Sequence, residues 1–191
     1  MRALWFDTPL GAMVALGDSR ALSGLHFSGA RHLPDVSACE DGRDCLLLRR
    51  VSQRINAYFN GHRGAFDIPL DAPGTPLQQA VWQALAEIPL GSTISYSELA
   101  TRVGRPRAVR AVAQAVGRNP WTIIRPCHRV VGSDGSLTGF AGGLERKSAL
   151  LAHEARLARE AGVVDSMCAR SSGEGAEVMQ MSSARRPASS G

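Results

Sequence analysis

Ser95-Tyr96-Ser97-Glu98-Leu99-Ala100-Thr101-Arg102-Val103-Gly104-Arg105-Pro106-Arg107-Ala108-Val109-Arg110-Ala111-Val112-Ala113-Gln114-Ala115-Val116-Gly117 reads as two short helices and the turn between them. Ser95 is placed to cap a helix while Glu98 reaches back to it, a capping box. The helix it starts is expected to end near Gly104. Pro106, whose fixed φ suits a first helical turn, is expected to open a second helix running to Val116, with Gly117 as its stop. Two short helices joined through a glycine predict a helix-turn-helix. At about 100° per residue, Val109, Val112, Ala113 and Val116 share one apolar stripe. Arg107, Arg110, Ala111 and Gln114 fall opposite, with Ala108 and Ala115 at the margin. Small side chains let a helix press into a nucleic-acid groove, and arginines reach phosphates or gaps between bases. The plainer alternative is an amphipathic surface helix that uses alanine for its propensity.

Working outward, Leu77 to Ile88 predicts a helix stopped by Pro89, with Val81, Leu85 and Ile88 inward. Before it, Asp71-Ala72-Pro73-Gly74 reads as a linker. Strand-like runs lie at Leu4–Phe6, Met13–Leu16 and Leu22–Phe27, punctuated by Pro9-Leu10-Gly11 and Gly17-Asp18. A polar loop is expected from Ser28 to Asp44. Leu47, Val51, Ile55 and Phe59, spaced by four, predict a helix over 46–59 that Gly61 stops. The fold class is therefore α+β. A small α+β domain at 1–70 and a linker at 71–76 lead into a mainly helical, winged-helix-like domain at 77–160. The Ser, Ala, Gly and Arg-rich tail, 161–191 with Cys168, is expected to be disordered.

The chain has 191 residues, 44% hydrophobic, and a net charge of +5. No run reaches the roughly 18 apolar residues of a membrane-spanning helix. Asp7 comes too early for a signal-peptide core, so the default location is the cytoplasm. Cys39, Cys45, Cys127 and Cys168 show no C-x-x-C spacing, and free thiols without a metal are expected. Eight Arg face eight acids in 1–74, nine Arg and Lys147 face five acids in 75–158, and four face four in 159–191. The whole excess thus falls on the middle segment, which favours a polyanionic partner there.

Cys127 lies in that segment, in Arg125-Pro126-Cys127-His128-Arg129. Cationic and hydrogen-bonding neighbours favour the thiolate, the form that attacks carbon. On a helix through Ala149–Leu157, Glu154 shares a stripe with Leu150 and Leu157. A buried carboxylate needs a partner, and His128 is the candidate, completing a Cys–His–acid relay. Such a relay also suits a cysteine hydrolase, although there the histidine is normally distant in sequence. Gly139-Phe140-Ala141-Gly142-Gly143 reads as a loop whose backbone can approach a ligand closely, with Phe140 able to stack on a flat ring or to anchor the core. No phosphate-loop or dinucleotide fingerprint is present, so no cofactor is expected.

Together these residues resemble the O6-alkylguanine-DNA alkyltransferase family. The resemblance is carried by Asn119-Pro120, Ile123 through Val131, Gly142-Gly143-Leu144 and Leu150-Leu151-Ala152-His153-Glu154. Upstream, Val81-Trp82, Ile88-Pro89 with Gly91, Ser95-Tyr96 and Arg107 through Val112 match in order. It is strong over 75–158, weaker over 1–70 and absent from the tail. The resemblance implies a DNA-repair protein that enters the minor groove of double-stranded DNA and flips out O6-alkylguanine, with O4-alkylthymine as a further substrate. The alkyl group would pass irreversibly to Cys127, once per molecule.

In that picture His128 and Glu154 activate Cys127 through a water, and Arg110 fills the gap left by the flipped base. Asn119 joins the recognition helix to the active-site segment. Tyr96 contacts phosphate and protonates the leaving base, and the backbone at Cys127 and Val130 reads the guanine edge. Arg107, Ala108 and Ala111 would contact DNA, and Phe140, Ala141 and Gly142 would line the pocket. A monomer is the expected state, with cooperative assembly on DNA as an open alternative, nucleoid-associated in a bacterium. Three positions depart from the family pattern: Arg125 replaces an apolar residue, Phe140 a frequent tyrosine and Ala141 a frequent serine. The rival within the resemblance is a non-catalytic lesion binder of the alkyltransferase-like type, which lacks the cysteine.

Overall fold

A computed structural model describes residues 1–171, with side chains to 162. Residues 1–158 form one compact unit, and the described residues from Arg159 to Ser171 belong to another. The chain opens with β1 (Arg2–Phe6), β2 (Met13–Gly17) and β3 (Leu22–Phe27), consecutive antiparallel strands at the three predicted runs. A fourth strand, β4 (Glu40–Asp41), joins the far side of β1 in parallel, giving the order β3-β2-β1-β4. It falls inside the segment expected to be all loop. Two exposed acids carry no strand signal, and only pairing with Arg2 and Ala3 makes them a strand.

Against this sheet packs α1 (Leu46–Phe59), at the predicted bounds. Its buried face is Leu48, Val51, Ile55 and Tyr58, not the expected Leu47, Val51, Ile55 and Phe59. The period is right and the stripe is broader. Leu47 and Phe59 stay half-buried at its edge, and Tyr58 turns inward. Two further segments hydrogen-bond to the outer edge of β3. Leu22 donates to Pro69 O (2.8 Å) and accepts from Asp71 N (3.0 Å). Leu25 donates to Pro120 O (2.7 Å) and accepts from Thr122 N (3.1 Å).

The helical part begins with α2 (Pro76–Leu85), capped by a box between Thr75 and Gln78. The helix ends at Leu85, short of Pro89, but Val81, Leu85 and Ile88 are buried as expected. Next come β5 (Ile94–Ser95) and α3 (Tyr96–Arg102), started by the predicted Ser95–Glu98 box. Ser95 N donates to Glu98 Oε2 (2.6 Å), and Glu98 N donates to Ser95 Oγ (3.1 Å). The second helix of the pair, α4 (Val109–Gly117), starts three residues after Pro106. Arg105 to Ala108 forms a turn instead, closed by Ala108 N on Arg105 O at 2.8 Å. Arg107 therefore precedes the helix, and Ala108 is its N-cap.

The buried face of α4 is Val112, Ala115 and Val116, so Ala115 and not Ala113 completes the stripe. The burial follows from the packing of α4 on α2, where the Trp82 indole Nε1 donates to Ala115 O (2.9 Å). After a 3-10 turn at Cys127–Arg129, β6 (Val130–Val131) pairs in parallel with β5. The chain then enters α5 (Leu144–Ser171), which continues past the boundary expected at 160. Alanine, arginine and glutamate favour helix even without an apolar period. The rest of the tail, 172–191, lies outside the described residues. No helix among the described residues is long and apolar enough to cross a membrane.

Candidate active site

Cys127 opens the 3-10 turn at the end of a tightly held approach. Asn119, just past α4, donates from Nδ2 to Arg125 O (2.7 Å) and to Trp121 O (3.4 Å), and its Oδ1 accepts from Trp121 N (3.1 Å). One side chain thus fixes both ends of a seven-residue excursion. Within it, buried Ile123 is held at φ 73°, in the left-handed region. For a β-branched residue this costs on the order of 1–3 kcal/mol and survives only where the surroundings enforce it.

Behind the cysteine, His128 and Glu154 are both fully buried, and His128 Nε2 pairs with Glu154 Oε1 at 2.9 Å. Glu154 is saturated. It accepts Tyr58 Oη at 3.0 Å, and Arg129 grips it with two nitrogens, each at 2.8 Å. Gly91 N approaches it at 3.4 Å. Gly91 lies at φ +78°, and a Cβ there would meet Ala158 Cβ at 2.6 Å. Arg129 also donates to Ile88 O. Burial alone would raise the Glu154 pKa, but the hydrogen bonds from His128 and Arg129 outweigh it and hold the carboxyl at about 2. With Nε2 committed to the carboxylate, His128 Nδ1 is the buried nitrogen left without a protein partner.

Cys127 is itself buried, 7% exposed. Burial pushes its thiol above the ordinary value, against opposing effects from the Asn119 hydrogen bond and the Lys147 charge. Burial likewise pushes His128 down, in spite of Glu154. Burial thus favours the neutral thiol and the neutral imidazole, against the thiolate that the cationic neighbours favour. Arg129 spends its charge on Glu154. The cation that acts on the thiol is Lys147, fully buried on α5, with Nζ donating to Val130 O (2.6 Å) and Thr138 O (2.7 Å).

In front lies an open groove of about 690 Å³ lined by Tyr96, Arg110, Phe140 and Ala141, with Arg31 and His32 from the long N-terminal loop. Tyr96 stands at N1 of α3 and donates to Thr138 O (3.2 Å). Burial chiefly raises its pKa, with a smaller push from Cys127, so the phenol keeps its proton. Ala141 O accepts from Arg31 N at 2.9 Å. Among the described residues, no group of three or more His, Cys, Asp or Glu is placed to hold a metal.

The profile described as "6-O-methylguanine DNA methyltransferase, DNA binding domain" matches residues 76–156, and "6-O-methylguanine DNA methyltransferase, ribonuclease-like domain" matches residues 1–72. The chain belongs to the 6-O-methylguanine DNA methyltransferase family. A methylated-DNA–protein-cysteine methyltransferase of Methanosarcina barkeri is 42% identical over 145 residues, covering 76% of this chain and 91% of that one. The namesake from Haemophilus influenzae is 42% identical over 148 residues, covering 77% and 82%. Among solved structures, Mycobacterium tuberculosis OGT in complex with DNA superposes with a TM-score of 0.74 at 39% identity, covering 82% of this chain and 94% of that one.

In this methyltransferase-family chain, the fold gathers Cys127, His128, Glu154 and Asn119 around one buried turn, and puts Tyr96, Arg110, Phe140 and Ala141 on the groove. Gly142 does not reach the groove. A Cβ there would meet Phe140 Cε1 at 2.9 Å and Phe27 Cδ2 at 3.0 Å, so it packs behind the loop. Val130 is buried, and its carbonyl is already bonded to Lys147. Arg107 is exposed, and neither it nor Ala108 nor Ala111 lines the groove. Sequence reasoning missed Lys147 and Tyr58. Lys147 lies three residues before Leu150 and seven before Glu154, on the same helical stripe, and that spacing was the available signal.

Proposed function

We propose that this protein repairs O6-alkylguanine in duplex DNA by transferring the alkyl group to its own Cys127, acting as a methylated-DNA–protein-cysteine methyltransferase. The observation that carries the reading is the fully buried His128–Glu154 pair at 2.9 Å directly behind a buried cysteine. The names of the relatives and the DNA-bound neighbour agree with it.

In the reaction, His128 Nδ1 takes the thiol proton, directly or through a water, as Cys127 Sγ attacks the alkyl carbon. The S–C bond forms, the C–O6 bond breaks, and the electron pair leaves on guanine. Glu154 stabilises the imidazolium through Nε2, as an anchored carboxylate does in a relay of this type. Lys147 offsets the developing sulfur charge. Tyr96 donates a proton to the departing base, and the proton held on His128 restores the balance. The products are a thioether on Cys127 and an unmodified guanine that stays in the DNA strand. A thioether is a poor leaving group, so each molecule acts once.

Flipping the base needs a wedge, and Arg110, exposed on the groove side of α4, supplies it. Arg107, Ala108 and Ala111 contact the duplex beside it, and Phe140 and Ala141 wall the base pocket, with Gly142 behind them. In this assignment residues 77–160 carry DNA contact and transfer, and residues 1–70 form the scaffold. The protein acts as a monomer in the cytoplasm, at the nucleoid in a bacterium.

Intact-mass spectrometry after incubation with O6-methylguanine duplex tests the reading. One methyl adduct is expected per wild-type chain and none on Cys127→Ala. An unmodified wild type that still binds the lesion would replace this reading with a non-catalytic lesion binder.

A further inference from the structure

The loop that lines the groove, residues 138–143, can bend near both ends and yet is tied down at both. Gly139 (φ 48°) and Gly143 (φ 95°) lie in the left-handed region, where glycine meets no side-chain barrier. Two consecutive residues of α5 hold the loop. Lys147 Nζ donates to Thr138 O at 2.7 Å while also bonding Val130 O of β6. Arg146 holds the other end, with Nη1 donating to Gly142 O at 3.0 Å. Phe140 and Ala141, which line the groove, sit between the two ties.

Arg146 does more than close the loop. Its Nε donates to Leu10 O (2.9 Å) between β1 and β2, and Nη1 reaches Ser28 O (3.3 Å) just past β3. The guanidinium carbon lies 4.8 Å from the centroid of the fully buried Phe27 ring. Gly11 (φ +104°) lets that turn come close, since a Cβ there would meet Arg146 Nη2 at 3.2 Å. The polar partners of Arg146 are thus backbone carbonyls of three separate segments, with no carboxylate among the described residues. A planar fork of donors bonded in this way fixes the carbonyls relative to one another, which one flexible ammonium does less well. The N-terminal sheet and its following loop also meet the groove loop directly. Arg31 N donates to Ala141 O (2.9 Å), and a Cβ on Gly142 would meet Phe27 Cδ2 at 3.0 Å.

We propose that Arg146 is a positioning residue for alkyl transfer, tying the Phe140–Ala141 wall to the N-terminal sheet and so setting how tightly the alkylated base is held. This role rests on the transfer reading above, and it gives residues 1–70 a part in base recognition. Arg146 touches none of the reacting atoms. A loop already held in its binding shape spares the base the cost of ordering it. Losing the tie therefore weakens binding and leaves the chemical step, built on Cys127, His128 and Glu154, as it was.

Alkylation of Cys127 by free O6-benzylguanine, followed by intact mass over a range of base concentrations, separates binding from chemistry. Arg146→Met keeps an apolar stem beside Phe27 and removes the donors. Its half-saturating base concentration should rise roughly fivefold or more, with the limiting rate within about twofold of wild type. Arg146→Lys restores one donor and should fall between the two, and it carries the test if the methionine variant fails to fold. Leu48→Ala, in the buried face of α1, should lower the thermal midpoint and leave half-saturation unchanged. An unchanged half-saturating concentration in the folded Arg146 variants, or an equal rise in Leu48→Ala, makes Arg146 merely structural and overturns the proposal. A loss confined to the limiting rate places Arg146 in the chemistry and overturns it too. Hydrogen–deuterium exchange of residues 139–143 needs no turnover and should quicken in the Arg146 variants. A wild type that takes no alkyl group defeats the transfer reading, whereas unchanged exchange overturns the tie whatever the outcome of transfer.

Discussion

The two sides of the Cys127 turn are built by opposite rules. Behind it, Glu154, His128 and Lys147 are fully buried charged or polar groups, and every oxygen of the carboxylate is bonded. In front, Arg110 is exposed and Tyr96, Phe140 and Ala141 are half-buried on loops or helix ends. A proton relay gains from a dry, fixed setting, where each electrostatic contact is worth more. A surface that admits a large, mobile polyanion needs exposed cations that reorganise at little cost. Substitutions on the two sides should therefore fail in different ways, by unfolding and lost chemistry behind the turn and by lost recognition in front.

Glu154→Ala should break the rear side hardest. It strands the Arg129 guanidinium and His128 without their partner, at a cost of about 3–5 kcal/mol. Urea denaturation would read the loss, and an unchanged midpoint would deny that the carboxylate anchors this region. Lys147→Met comes next. Two short hydrogen bonds disappear, and the carbonyl of buried Val130 loses its donor, at about 1–3 kcal/mol. It also removes a charge that favours the thiolate, so the pH profile for alkylation of Cys127 by free O6-benzylguanine should shift upward. A stability loss with no shift would make Lys147 purely structural.

Acid should also act on the rear side. Burial holds His128 below its ordinary value, and burial with the nearby His32 holds His26 at about 4. Both take up protons more readily in the unfolded chain, so their stabilisation is complete above the unfolded value of 6.5 and declines as pH falls below it. Glu154, at about 2 when folded, adds stability present above its ordinary 4.5 and lost as pH falls from there towards 2. Denaturation midpoints should fall in two stages, and the lower stage should shrink in Glu154→Gln. Arg110→Ala, on the front, should leave the thermal midpoint unchanged and slow repair of duplex at least tenfold more than reaction with free base. Equal slowing on both substrates would remove Arg110 from base flipping.

What was legible in the sequence follows the same division between local and long-range causes. The three strands, α1 and the Ser95–Glu98 box depend on neighbouring residues, and the structure has them where the pattern put them. The relay was legible too, because Glu154 on an apolar stripe demands a buried partner. The two-residue strand β4 was not, since its acids are made a strand only by β1. The inward turn of Ala115 was hidden because α2, on which α4 packs, is remote in sequence. Lys147 was missed because lysine is ordinarily solvated, and only the depth of α5 reverses that prior. The effect of burial on the thiol was hidden for a related reason. Nearby cations in sequence said nothing of where Arg129 points or how deeply Cys127 sits.

The pairing of residues 120–122 with the outer edge of β3 carries a consequence for anyone who would cut this protein. The two family profiles meet between 72 and 76, which invites expression of the second half alone. Yet Leu25 bonds to both Pro120 and Thr122, and Trp121 Nε1 donates to Leu22 O at 2.8 Å, so the approach to Cys127 is stitched into the first half by a parallel bridge. A fragment starting at 76 would lose the template on which its reactive loop is shaped. The seam lies in the text of the chain and not in its mechanics.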